Sequence, residues 1–166
     1  MNIDGQHCDL EILHNVGLEE YAALSTQHIR KGDGFLLVYS MADRPSFTHI
    51  SRYYTEVILV KEFTQPRPTQ LPGSPISPTV PVTRSLPILL VAYESEKAIK
   101  REVSTIEGQE LAQQLNCEYA ETSAKDRVNA EKAFYDVVRL LRIQQLEQRR
   151  EESVARRKAW EARNTL

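Results

Sequence analysis

GFLLVY, residues 34–39, is the stretch on which the fold class turns. It is an unbroken apolar run of strand length, without the polar alternation of a half-exposed strand. Such runs suit strands buried on both faces of a parallel sheet. PILLVA, residues 87–92, repeats the pattern. Around these runs the apolar period changes to that of helices. Glu19–Arg30 reads as a helix, with acidic residues at its start and Arg30 and Lys31 at its end, as the helix dipole favours. Ser46–Phe63 reads as another, with Phe47, Ile50, Tyr54, Val57 and Ile58 at helical spacing. Ser104-x-x-Glu107 is a capping box opening a helix to about Leu115. Cys117–Ala120 reads as a short strand. A last helix carries Ala130, Ala133, Phe134, Val137, Val138 and Leu141 on one stripe. Near the start, Asp4-Gly5 is a two-residue hairpin signal, and the alternating Cys8–Leu13 reads as a strand. Strands alternating with helices predict an α/β fold with a doubly wound, mostly parallel sheet.

A length of 166 residues suffices for one domain with a real core. A net charge of −2 argues against bulk nucleic-acid binding. Cys8 and Cys117 stand far apart with no metal-site spacing, which points to a reducing compartment and no zinc. No apolar run approaches the ~18 residues of a membrane span, and the start lacks the pattern of a signal peptide. The expected location is cytoplasmic, with peripheral attachment at the inner membrane surface as the second option.

Composition divides the chain. Residues 1–63 and 86–142 carry the alternating elements. Residues 64–85 form an insertion holding six of the eight prolines. Pro72, Pro75, Pro78 and Pro81 recur every third residue, the period of a polyproline II helix, and offer an edge that SH3-like grooves read. The alternative is an inert surface loop. Residues 143–166 are a charged extension. From Glu147 onward six basic residues face four acidic ones, and Glu152 and Arg156 stand at i,i+4.

Five segments together resemble the Ras-type small GTPases, closest to the Ras/Rap branch. IDGQHCDLEIL (3–13) is similar to that family's hairpin leading into its third strand. VGLEEYAALSTQHIRKGDGFLLVYS (16–40) is similar to its second switch, following helix and fourth strand. RPSFTHI (44–50), LPILLVA (86–92) and CEYAETSAKD (117–126) resemble the third helix, the fifth strand, and the sixth strand with the base-contacting loop. The resemblance implies a P-loop NTPase fold, GTP or GDP with Mg²⁺ as ligands, GTP hydrolysis as the family's activity, and effector or regulator proteins as partners. It also implies that the chain starts downstream of the family's phosphate loop, first strand and first switch. The sheet would then lack the strand expected between 8–13 and 34–40, leaving a gap of ~10 Å. It could close by pairing 8–13 directly with 34–40 or by recruiting a strand from another chain. The missing strand could equally belong to a longer protein.

The family's motifs map unevenly onto this chain. Asp-x-x-Gly-Gln becomes His14-Asn15-Val16-Gly17-Leu18. Gly17 keeps the backbone N–H that meets the γ-phosphate, though a glycine there is equally a turn former. Leu18 has no group to orient the attacking water. Asn-Lys-x-Asp becomes Tyr93-Glu94-Ser95-Glu96: Glu96 keeps the carboxylate of the guanine-reading aspartate but is one methylene longer and is equally a solvated surface group, while Tyr93 and Glu94 lose the loop-bracing amide and the ring-covering lysine stem. Ser123-Ala124-Lys125 is intact, and in the family its Ala N–H reads the guanine carbonyl oxygen. The family's Cys-a-a-X prenylation signal is missing; the chain ends Arg163-Asn-Thr-Leu. The resemblance therefore implies a Ras-like switch domain, inactive or incomplete in this chain, with nucleotide contacts from Gly17, Glu96, Ser123, Ala124 and Lys125 and no catalytic or metal-ligating residue. One rival is a pseudo-GTPase interaction module using Tyr21 of the second-switch helix together with Pro72, Pro75, Pro78 and Pro81. The other is an active GTPase whose N-terminal part is missing from this sequence.

Overall fold

A computed structural model describes residues 1–14, 22–64, 86–93, 100–123 and 129–164. The proline-rich insertion lies outside them. The chain opens with a hairpin, β1 (Asn2–Ile3) and β2 (Gln6–His7), paired antiparallel. Asp4 and Gly5 turn it with φ of 54° and 78°, the doubly left-handed geometry of a two-residue turn. The two ends are clasped by Cys8 N–H donating to the Met1 carbonyl at 2.9 Å.

The strand expected at Cys8–Leu13 does not form. Residues 8–14 carry no regular structure, and Leu10, Ile12 and Leu13 are exposed, Ile12 at 61%. Its alternating pattern is real, but a strand exists only where a neighbour completes its backbone hydrogen bonds. Among the described residues no neighbour does so, and direct pairing of 8–13 with 34–40 does not occur.

α1 (Ala22–Lys31) leads to β3 (Phe35–Ser40). The single helix expected over Ser46–Phe63 is two, α2 (Arg44–Thr48) and α3 (Ile50–Thr64). Asp43 caps α2, accepting from Ser46 N–H at 3.2 Å, and Pro45 sits in its first turn, where no N–H is needed. Thr48 then turns its hydroxyl onto the Pro45 carbonyl at 2.8 Å, a side-chain bond that competes with the helical ladder at the junction. β4 (Ile88–Tyr93), α4 (Thr105–Gln114), β5 (Glu118–Glu121) and α5 (Ala130–Asn164) complete the order. The capping box on α4 is present as expected: Ser104 Oγ accepts from Glu107 N–H at 3.2 Å, and Glu107 Oε2 accepts from Ser104 N–H at 2.8 Å.

The main sheet runs β3-β4-β5, all parallel, with Phe35 beside Ile88 and Leu89 beside Glu118. Helices cover both faces. Leu37 and Tyr39 of β3 and Ile88, Leu90 and Ala92 of β4 pack with Ile29, Ile50, Val57 and Ala112 from α1, α3 and α4. Leu89 and Val91 face the other way, onto Ala133 and Val137 of α5. Both sets of side chains on β4 are buried, which is why its sequence is a continuous apolar run. β3 pairs along one edge only among the described residues, and Val38, on the face that α5 covers in part, is 50% exposed. The hairpin is tied to α5 by Arg139, bidentate on Asp4 at 2.7 and 2.8 Å, and by Arg142, which donates to the Ile3 carbonyl at 2.9 Å.

Candidate functional site

The parallel strands all end at one edge of the sheet, and loops leaving that edge of an open α/β sheet are where such folds bind ligands. β4 and β5 end side by side, with Ala92 opposite Glu121. Thr122 continues the ladder by one bond, its N–H donating to the Ala92 carbonyl at 2.8 Å. Thr122 and Ser123 are buried there, Ser123 at 1% exposure.

Glu121 is the organising group of this edge. Arg101 holds it through both guanidinium nitrogens, at 3.1 and 3.2 Å. Thr105 Oγ1 donates to it at 2.7 Å and Tyr119 Oη at 2.9 Å. Burial alone would push its carboxyl up, but the Arg101, Thr105 and Tyr119 hydrogen bonds hold it below the ordinary carboxylate value. The Tyr119 phenol is pushed in the opposite direction, first by burial and then by the Tyr39 hydroxyl beside it. The Glu121 backbone carbonyl accepts from Asn129 Nδ2 at 3.1 Å. Asn129 itself has a φ of 57° just before α5, so the strand end and the start of that helix are joined across the intervening loop.

A second network braces the neighbouring loop. Met41 N–H donates to the Tyr93 carbonyl at 3.2 Å, and the Met41 carbonyl accepts from Glu102 and Val103 N–H. Arg44 bonds Glu107 at 2.6 Å and the Glu102 carbonyl at 2.8 Å, with its guanidinium 5.8 Å from the Phe47 ring centroid. The Arg44 bond, followed by two from Ser104, lowers the Glu107 carboxyl to about 2.

Of the site residues read from sequence, Ser123 is placed at this edge. Gly17, Leu18, Tyr21, Glu96, Ala124, Lys125, Pro72, Pro75, Pro78 and Pro81 lie outside the described residues. His14 is exposed on the irregular segment after the hairpin. Cys8 and Cys117 are both free. Arg101, Thr105 and Tyr119 escaped the sequence reading, because nothing local in the chain pairs an arginine with a carboxylate twenty positions later.

The edge meets a purine nucleotide's needs unevenly. Two neighbouring strand ends and a buried Ser123 stand at this edge. Among the described residues no cluster of three His, Cys, Asp or Glu could hold a metal ion. The sequence contains no Gly-x-x-x-x-Gly-Lys run either. Mg²⁺ and the phosphates thus have no partners among these residues, and no hydrolytic step follows from them. No helix among the described residues is long and apolar enough to cross a membrane.

Comparison with known proteins agrees with this architecture. The family model "Ras family" matches residues 1–143. Ras-like protein 1 of Pyricularia oryzae is 51% identical over 142 residues, covering 86% of this chain and 58% of that protein. Protein ras-2 of Neurospora crassa is 51% identical over 143 residues, covering 86% and 62%. Ras-like protein B of Aspergillus fumigatus is 48% identical over 149 residues, covering 88% and 62%. The chain therefore spans about three-fifths of the length of these curated relatives. With the parallel sheet, helices on both faces and a family match over most of its length, this chain belongs to the Ras family.

Proposed function

We propose that this chain is part of a guanine-nucleotide-dependent signalling switch of the small-GTPase type, and that its own residues serve mainly the base side, with Gly17 as the one contact to the phosphates. The observation that carries this reading is the shared strand edge. β4 and β5 end side by side, with Ala92 opposite Glu121, and in the sequence Glu96 follows the first and Ser123-Ala124-Lys125 the second. Glu96 would take the paired hydrogen bonds of the guanine edge, and the Ala124 N–H would donate to the guanine carbonyl oxygen. Gly17 would offer its N–H to the terminal phosphate. GTP or GDP with Mg²⁺ is the ligand this reading implies.

The 166 residues alone should not bind GTP or GDP with micromolar affinity, because the charge-assisted contacts to the α- and β-phosphates are not among them. Calorimetry returning a Kd below ~10 μM would sink that statement. The base-side reading is tested separately, in a chimera carrying a phosphate loop ahead of Asn2. Guanine nucleotides should then bind well above adenine nucleotides, and equal affinities would refute the assignment. In the same chimera, Leu18→Gln should raise single-turnover hydrolysis, since a leucine cannot orient water. Unchanged rates would show that position 18 does not face the attacking water.

Partners of the effector or regulator type follow from the same reading, with Tyr21 on the switch side. The proline-rich insertion supplies a second surface, for domains that read polyproline helices along Pro72, Pro75, Pro78 and Pro81. Arg67 and Arg84 do not stand at the offsets that fix orientation in such complexes, so weak binding is expected. Titrating the insertion peptide against a panel of SH3 domains checks this; no measurable shift in any spectrum would discard it.

A further inference from the structure

The last third of α5 projects from the domain. Its core-facing residues end early: Ala133 and Val138 are buried, whereas every described residue from 149 to 161 is exposed. Ser153 lies in the middle of this stretch, with its hydroxyl donating to the Arg150 carbonyl at 2.8 Å. Arg149 and Arg150 stand four and three residues before it, and Arg156 and Arg157 three and four after it. At ~100° per residue, all four arginines fall within about 60° of Ser153 around the helix. The four glutamates of the stretch, Glu147, Glu151, Glu152 and Glu161, fall about 80–160° away on the same count. The serine therefore sits at the centre of a face whose charges are all basic. Arg157 meets Glu161 at 3.0 Å, and among the described residues no carboxylate pairs with Arg149, Arg150 or Arg156.

We propose that Ser153 is a phosphorylation site for an arginine-directed serine kinase, and that the surrounding arginines hold the product phosphate. Such kinases choose substrates by charge pattern, with an arginine three residues ahead of the acceptor. Three hydroxyl residues of the chain have one: Thr55 after Arg52, Ser104 after Arg101 and Ser153 after Arg150. The structure separates them. Thr55 belongs to α3, between the half-buried Tyr54 and the buried Val57, so unwinding it would open the core. The Ser104 hydroxyl caps α4, and Arg101 is held by Glu121 through both guanidinium nitrogens. Ser153 has no such ties. A kinase draws its acceptor into an extended segment, and a helix end without tertiary packing opens at little cost.

In the reaction Ser153 Oγ attacks the γ-phosphorus of the kinase's Mg-ATP. The bond to the bridging oxygen breaks, ADP leaves, and the hydroxyl proton passes to the kinase's catalytic carboxylate. The phosphoserine carries a charge of about −2 and three acceptor oxygens. When the helix re-forms, guanidiniums one turn before and one turn after are spaced to pair with it. Phosphorylation thus converts a self-repelling basic face into a paired one and stiffens the end of α5.

The full 166-residue chain, incubated with Mg-ATP and either a calmodulin-dependent or a cyclic-AMP-dependent kinase, tests this by peptide mass spectrometry. Phosphate should appear on Ser153 and vanish in Ser153→Ala. Arg150→Gln should slow incorporation about tenfold, the loss of one charge-assisted contact to the kinase. No phosphate on Ser153 with either enzyme overturns the proposal, as does labelling of Thr55 or Ser104 at the same rate. Hydrogen exchange of the modified protein reads the second half. Amides of 149–160 should slow by at least about threefold on phosphorylation. In the Arg156→Gln, Arg157→Gln double variant, incorporation should stay within about twofold of the parent while that slowing disappears. Exchange that is unchanged or faster in the phosphorylated parent overturns the arginine cradle. Far-UV circular dichroism checks that each variant keeps its helix.

Discussion

Two positions on α4 show how much a single atom decides. Gly108 packs where Tyr39 and Tyr119 converge. A Cβ there would collide with Tyr39 Oη and stand 2.7 Å from the Tyr119 ring. Both phenols belong to the buried network around Glu121, so they have little room to retreat. Gly108→Ala should therefore lower stability by about 1–3 kcal/mol, despite alanine's better helix propensity. A denaturant midpoint equal to that of the parent would contradict the packing described. Glu107, one residue earlier, titrates at about 2 instead of near 4.5 because Arg44 and Ser104 bond its ionised form. A carboxyl with a lowered folded pKa stabilises fully above its unfolded pKa and loses that contribution as pH falls through the folded value. The relevant window is thus pH 4.5 down to about 2. Arg44→Met should flatten the stability–pH curve in that window, as followed by urea unfolding at stepped pH. The effect should be modest, since both side chains are largely solvated.

At the level of elements, the start of α4 was read directly from the residues. The Ser104/Glu107 box is a short-range pattern, and the structure contains it with both reciprocal bonds. Ser104→Ala should cost about 1 kcal/mol, and Ser104→Asp should restore most of it, because aspartate caps as well as serine. Thermal midpoints of the two variants measure this; an alanine variant as stable as the parent would mean that α4 is held by packing alone. The expected strand at 8–13 and the expected single helix at 46–63 failed for different reasons. The first has the right alternation but no neighbouring backbone. The second has the right period on both sides of His49, but Asp43, Pro45 and Thr48 build a short capped turn ahead of the main helix. That turn carries Arg44 to Glu102 and Glu107, a connection visible only once α4 lies beside it.

Across the whole molecule, protection should follow the sheet's layering. β4 is central and covered on both faces, whereas β3 is bonded along one edge among the described residues. Hydrogen exchange should be slowest in β4, and the β3 amides that point away from β4 should exchange much faster than those that point toward it. Uniform protection along β3 would reveal a strand or partner on that edge. The α/β class, the parallel strands, the Ser104/Glu107 cap and the family kinship were legible in the residues because each rests on short-range periodicity or on motif order. Apolar runs such as 34–39 and 87–92 report burial on both faces whatever they pair with. The edge that holds Ser123 was legible only in part. ETSAK marked the loop, but the clamp of Arg101, Thr105 and Tyr119 on Glu121 was invisible, as was the tie from Arg139 to Asp4 across 135 positions. Those contacts depend on which helix lies over which strand. A hydrogen bond between distant residues leaves no local pattern in either one, so only the folded chain could settle them. The same holds for Cys8–Leu13: its sequence is competent to be a strand, and the absence of a neighbouring backbone among the described residues left it irregular.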